Sequence, residues 1–212
     1  MTDAPPAQGG LPVPLLPLCD EPRIERVMAM ARAAGARRFT LGLADQPETV
    51  LAHFGGALKV NAETLALGSG GSVRDALPML VSDPFFVMDS NTLWTDGGPV
   101  FSRMIERHAE RGGTVLLCVH PHRAHGVARS HDFCLDPAGR ISRDYGAPVL
   151  FAGLALMTRA AFADAPEGPF RLDALFDRAI EDESLSGVVI DADWFNLIDR
   201  EAHEQAERAL AG

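Results

Sequence analysis

The chain has 212 residues, 47% of them hydrophobic, and a formal charge of −10 at pH 7. That length and apolar content suffice for one well-formed core, and the negative balance excludes a general nucleic-acid surface, which needs clustered Lys and Arg to neutralise phosphates. No run reaches the roughly 18–20 apolar residues of a spanning helix, and no basic-then-apolar leader opens the chain, so the expectation is a cytoplasmic protein with no membrane partner. Cys19, Cys118 and Cys134 lack CxxC spacing and read as reduced, small, buried hydrophobes.

Residues 1–18, rich in Pro and Gly, read as an extended arm ahead of a domain covering 19–212. Asp20 then stands as an N-cap with Pro22 in the first turn, and Ile24, Val27, Met28 and Ala31 share one helical face until Gly35. Arg38–Leu43 follows as a short buried strand and Gln46–Phe54 as a helix. Leu65–Ser72 (LALGSGGS) reads as a Gly-rich turn feeding a helix at Val73–Leu80. Pro84–Asp89 is a strand; its apolar run without alternation predicts a buried parallel strand that delivers Asp89, Ser90, Asn91 and Thr92 at its carboxyl end. Pro99–Arg111 is a helix and Thr114–Val119 a strand. The DPAG of Asp136–Gly139 turns a hairpin between Phe133 and Ile141. Val149–Met157 and Gly187–Ile190 are strands, with helices at Leu172–Ile180 and Arg200–Leu210. This alternation predicts a three-layer, Rossmann-like α/β fold on a mixed, mostly parallel sheet, with an antiparallel excursion at residues 130–150.

Several clusters could carry chemistry. The backbone N–H groups of Ser69, Gly70 and Gly71, ahead of a helix, could cradle a phosphate or admit a flat base, although a plain turn has the same composition and no Walker lysine follows. His120, His122, His125 and His131, near Cys118, Asp132 and Cys134, match no closed metal-site spacing and read as histidines of a loop. Asp191, Asp193, Asn196 and Asp199 form a polar cluster after the last strand, in which Asp199 is an N-cap or a ligand group, and Trp194 and Phe195 are core. No GxSxG elbow is present.

Taken in order, LPVPLLPLCDEPRIERVM, GSGGSVRDALPML, FFVMDSNTLW, AHGVARSHDFCLDPAGRISR, FAGLALMTRAAF and DWFNLIDREAHEQAE resemble successive segments of the sugar-1-phosphate nucleotidyltransferases, particularly the bacterial N-acetylmuramate-1-phosphate uridylyltransferase branch. The resemblance spans about residue 11 to the end. It implies the nucleotidyltransferase (glycosyltransferase-A-like) fold and transfer of a nucleotidyl group from an NTP to a sugar 1-phosphate in cell-wall sugar metabolism. It also implies Mg²⁺ held by two aspartates, a base-binding loop at Ser69, Gly70 and Gly71, and substrate contacts at His125, Gly126 and Gly153. Against that pattern, the first metal aspartate is Asn91, with Asp89 two residues earlier; the second is Asn196; the phosphate-binding lysine is Val13; and the base-loop glutamate is Gly68. The opening strand with its G-x-G-T-R loop has no counterpart in this sequence. An amide lacks the charge a Mg²⁺ site requires, and a shift of two residues along a strand moves a group by roughly 6–7 Å. The expectation is a nucleotidyltransferase-like protein that binds a nucleotide, a sugar phosphate or a protein partner with impaired catalysis, as a homo-oligomer or in a hetero-complex. The alternative is an active enzyme making an NDP-sugar with Mg²⁺, with Asp89 as a catalytic group alongside the glycine loop and Asp193 or Asp199, and with Asn91 and Asn196 as altered metal positions.

Overall fold

A computed structural model describes residues 10–43, 46–55, 59–62, 67–95 and 98–211. The segment read as an arm is tied down where it is described. Val13–Leu15 makes one 3-10 turn, and β1 (Pro17–Leu18) pairs antiparallel with β2 (Glu21–Pro22). Leu18 is fully buried against Leu93, Phe195, Leu197 and Ala206. Helix α1 (Arg23–Ala33) follows with Pro22 at its N-cap, so Asp20 falls in the preceding turn and not at the cap. Its apolar stripe buries Ile24 and Met28 against Leu15, and against Leu43 and Val50 from β3 (Thr40–Leu43) and α2 (Pro47–His53). Strand β3 pairs in parallel with β4 (Lys59–Ala62).

The central sheet is built on β11 (Ala147–Met157), the longest strand. Its first residues pair antiparallel with β9 (Phe133–Leu135), which carries β10 (Ile141–Ser142) as a hairpin partner across the expected DPAG turn. Its later residues pair antiparallel with both β5 (Phe85–Met88) and β7 (Thr114–Val119), Ala155 and Leu156 having a partner on each. Strand β12 (Leu185–Ile190) continues the sheet in parallel with β7. Thus β5, β7 and β12 run in one direction and β11 opposes them. The reading of β5 as a strand within a parallel ladder is corrected on this point: its hydrogen-bonded neighbour is the antiparallel β11, and only Phe85 of its four residues is fully buried.

Strand β7 shows why three layers form. All six of its residues are buried. Leu116 and Cys118 join one cluster with Phe133, Phe162 and Phe176, while Val115, Leu117 and Val119 join another with Trp94, Met104 and Leu150. Alternate side chains of a strand leave on opposite faces, so a strand buried at every position, apolar after Thr114, must be covered twice. Helix α5 (Asp173–Glu181) covers the first face through Leu175 and Phe176, and α4 (Val100–Arg111) covers the second through Val100 and Met104.

Helix α3 (Gly68–Ala76) replaces the expected Gly-rich turn, with Leu77–Met79 continuing as 3-10. Its glycines permit a close approach of the Phe170 segment. A Cβ on Gly68 would lie 2.7 Å from the Phe170 carbonyl oxygen, and one on Gly70 would collide with the Phe170 ring. A second small sheet stands beyond the carboxyl ends of β5 and β12. In it β13 (Trp194–Asn196) lies between β6 (Thr92–Trp94), antiparallel, and β8 (Ala124–His125), parallel. Trp94 and Trp194 are register partners, both buried, and the Trp194 indole N–H donates to the Ala152 carbonyl at 3.0 Å. Helix α6 (Arg200–Ala211) closes the chain against β13.

Of the cysteines, Cys118 and Cys134 are buried as expected, but Cys19 is exposed, in a turn with φ +54°. Among the described residues no helix is long and apolar enough to cross a membrane.

Candidate functional site

The small sheet gathers most of the residues singled out in the sequence. Asp89 leaves β5 with its backbone N–H donated to the Gly153 carbonyl at 2.8 Å. The chain then turns so that the Asn91 N–H reaches the Asp89 carboxylate at 2.8 Å, an Asx turn that reverses direction into β6. Asn91 presents its carbonyl to the Leu197 N–H at 2.8 Å, and Asn196 is the register partner of Thr92. Asn91, just before β6, and Asn196, at the end of β13, therefore end up as neighbours. His125 of β8 pairs with Phe195 in register and stacks on its ring at 4.7 Å. Its Nε2 lies 3.6 Å from Asp193, which Arg123 approaches at 3.8 Å.

Two glycines hold this arrangement tight. Gly153 has φ +84°, and a Cβ there would sit 2.5 Å from the Thr92 hydroxyl. It lies where the β11–β7 register shifts, between Phe151 and Ala155. Gly126 has φ +77°, and its Cβ would meet Ala202 at 2.6 Å and Asp199 at 2.9 Å. Only glycine adopts such backbone angles without cost. Asp199 accepts the Ala202 N–H at 2.8 Å and so caps α6, settling its structural role.

Ser69, Gly70 and Gly71 are placed differently. The Ser69 hydroxyl accepts the Leu172 N–H at 3.1 Å, and the N–H groups of Gly70 and Gly71 both donate to the Phe170 carbonyl, at 2.9 and 3.1 Å. These donors are engaged by the protein itself, and these contacts run to the Phe170 segment and not to the Asp89–Asn196 cluster. His120 stacks on His122 at 5.6 Å, and His131 contacts Ser130. No group of three or more His, Cys, Asp or Glu among the described residues could hold a metal.

Two participants escape the sequence reading. Arg23, the first residue of α1, is only 7% exposed. One of its terminal nitrogens donates to Asn91 Oδ1 at 3.4 Å and the other lies 3.1 Å from His203 Nδ1, while Nε is buried without a partner among the described residues. Since a guanidinium only donates, His203 Nδ1 accepts, which puts the imidazole proton on Nε2, facing Glu207 at 3.6 Å. Arg23 lies four and eight residues before Val27 and Ala31 on the buried stripe of α1. A charge on an apolar helical face was the available signal.

The electrostatics follow from burial. Burial holds the Asp89 carboxyl above the usual carboxylate range, opposed by the hydrogen bond from the Asn91 N–H. Burial, then the neighbouring Arg23 charge, pushes His203 below the ordinary imidazole value. Burial pulls the Arg23 guanidinium down and the Glu207 charge counters it.

The Mg²⁺ implied by the resemblance does not fit these residues. The Asn91 side-chain oxygen is taken by a guanidinium, and Asn196 is committed at both ends, its NH₂ to the Gly126 carbonyl at 3.0 Å and its oxygen to the Ile198 N–H at 3.3 Å. Neither amide carries a charge to offset that of the ion. A groove of about 540 Å³, lined by Arg26, Met30, Leu93, Trp94, Phe101 and Leu210 among others, opens nearby, but none of the site residues expected from sequence lines it.

No family model matches the chain. It is similar to N-acetylmuramate alpha-1-phosphate uridylyltransferase from Caulobacter vibrioides, 29% identical over 151 residues that cover 69% of this chain and 62% of that protein. The match thus spans less than two thirds of the curated relative's length. Among solved structures, HddC from Yersinia pseudotuberculosis, complexed with GMP-PN, superposes with a TM-score of 0.77 at 16% identity, covering 99% of this chain and 94% of that one. The UTP-bound UGPase from Acinetobacter baumannii gives 0.72 at 16% identity, covering 97% and 87%. A putative glucose-1-phosphate thymidylyltransferase from Bacillus anthracis gives 0.72 at 14%, covering 94% and 86%. These structural likenesses establish the three-layer fold read from the sequence.

Proposed function

Proceeding from this chain's kinship with the sugar-1-phosphate nucleotidyltransferases, in sequence and in fold, we propose that it binds a nucleotide or a sugar phosphate without transferring the nucleotidyl group. The observation that carries this reading is the state of the two strand-end positions. Asn91 and Asn196 are neutral amides engaged in internal hydrogen bonds, and the cation beside Asn91 is a side chain. Transfer to a phosphate needs the growing charge on the reacting phosphoryl group and the departing pyrophosphate to be neutralised, which the metal does in such chemistry. Neutral amides at both positions leave that charge without the divalent ion that would stabilise it. Val13, at the position of the family's phosphate-binding lysine, points the same way. A cytoplasmic role in a homo-oligomer or a hetero-complex, reading out a cell-wall nucleotide sugar or its precursor, belongs to the same proposal.

A second reading, an active enzyme making an NDP-sugar from an NTP and a sugar 1-phosphate, is favoured by the 29% identity with the Caulobacter uridylyltransferase. The two separate in one pair of experiments: calorimetric titration with nucleoside triphosphates, nucleotide sugars and sugar 1-phosphates, and pyrophosphate release across the same pairs with Mg²⁺. Saturable heat with release at background supports binding without turnover. Release above background for any pair transfers the conclusion to the enzyme. No heat and no release for every ligand overturns both.

A further inference from the structure

We propose that the Arg23 guanidinium is the resident cation of this site: it holds at Asn91 the positive charge that a divalent ion would otherwise bring, and it closes the ends of β6 and β13 to divalent metal. The argument starts from cost. Arg23 is 7% exposed as a residue, so its guanidinium has given up most of its hydration, and such burial is ordinarily offset by a carboxylate in direct contact. Here the direct partners are both neutral, the Asn91 amide and the His203 imidazole, and Nε has none among the described residues. The nearest acid in the chain of contacts, Glu207, sits beyond His203 and also accepts the Cys19 backbone N–H. A carboxylate is available close by, yet Asp89 spends one oxygen on the Asn91 backbone N–H, and its contacts do not include Arg23. The positive charge is therefore fixed in the site with no carboxylate in direct contact among the described residues, and Glu207 acts on it only from beyond His203.

Position adds to this. Arg23 bridges α1, the turn into β6, and α6, three elements brought together only by the tertiary fold, with sequence separations of 68 and 180 residues. It contacts the side-chain oxygen of one of two amides that stand on neighbouring strand ends. A metal ion and a guanidinium 3.4 Å from the same oxygen exclude each other by charge. Asn91 is then the residue expected beside a permanent cation that is not to be neutralised: aspartate there would form a buried ion pair and cancel the charge. This inference rests on the protein's own side chains and holds whether or not the chain binds a nucleotide.

The test uses the full chain and Mn²⁺ alone as the probe, followed by electron paramagnetic resonance. The wild type and N91D/N196D should take up Mn²⁺ no better than background, and R23M/N91D/N196D should bind one equivalent at least tenfold more tightly than N91D/N196D. Stoichiometric Mn²⁺ on the wild type that N91A removes, or equal affinity of the double and triple variants, would overturn the proposal. A second measurement does not require the triple variant to fold. With Arg23 present, N91D should raise the melting temperature by about 2–4 °C per kcal/mol gained. In an R23M background the same change should lower it. Shifts of equal sign and size in both backgrounds would show that the Arg23 charge does not act at Asn91.

Discussion

At the scale of single residues, the site is governed by groups whose burial disagrees with their charge. Asp89 is held above the usual carboxylate range chiefly by burial. A group whose value is raised on folding contributes stability that is complete below its unfolded value, about 3.9, and is lost as pH rises through the folded value. At pH values well above the unfolded value, folding around this carboxyl is therefore a cost. Asp89→Asn keeps an acceptor for the Asn91 N–H, so thermal melting should show the variant more stable than wild type at pH 7, with the gap closing as pH falls through the folded value of Asp89. His203 has the opposite sign: lowered on folding, it contributes stability present above about 6.5 and lost as pH falls through its folded value. His203→Gln should flatten the decline in urea stability between pH 7 and pH 5 relative to wild type. Arg23, buried without a direct carboxylate partner among the described residues, is expected to be retained at the expense of stability, so Arg23→Met should melt no lower than wild type.

At the scale of elements, the backbone is constrained where strands cross the site. Gly153→Ala forces a φ of +84° on a residue with a Cβ and drives that Cβ to 2.5 Å from the Thr92 hydroxyl, so a loss of about 2–4 kcal/mol is expected from urea titration. Asp199→Ala removes the acceptor of the Ala202 N–H and should cost about 1 kcal/mol. What the sequence showed of the elements depended on how local their cause was. The α1 stripe and the DPAG hairpin are local patterns and were legible, as was the buried run of β7. The start of α3 was not: three glycines within four residues speak against a helix, and the reason for them, the Phe170 segment packed on that helix, lies about a hundred residues away. The neighbour of β5 was illegible for a similar reason, since an apolar run records burial and not which strand is inserted beside it. At the site, the convergence of Asp89, Asn91, His125, Gly126, Gly153 and Asn196 could be anticipated from the order of motifs. Arg23 and His203 come from opposite ends of the chain, and no spacing rule joins them.

At the scale of the whole molecule, β11, like β7, contributes to both faces of the core, with Val149 and Ala155 in one cluster and Leu150, Ala152, Leu154 and Leu156 in the other. Hydrogen exchange should find the slowest amides in β7, β11 and β12, exchanging only by global unfolding, and Leu154→Ala should cost about 2–5 kcal/mol and accelerate all three strands together. Independent protection of α4 and α5 against exchange after that substitution would contradict a single cooperative core. The small sheet depends on this platform through the Asp89–Gly153 and Trp194–Ala152 hydrogen bonds. That second contact has an optical consequence. Trp94 and Trp194, the only tryptophans of the chain, are register partners in strands of which one begins just after Asn91 and the other ends at Asn196. Both indoles therefore sit on this one strand pair, so the tryptophan part of the near-ultraviolet dichroism and emission comes from the two strands beside the strand-end amides, and any ligand or metal that shifts those strands can be followed without a label.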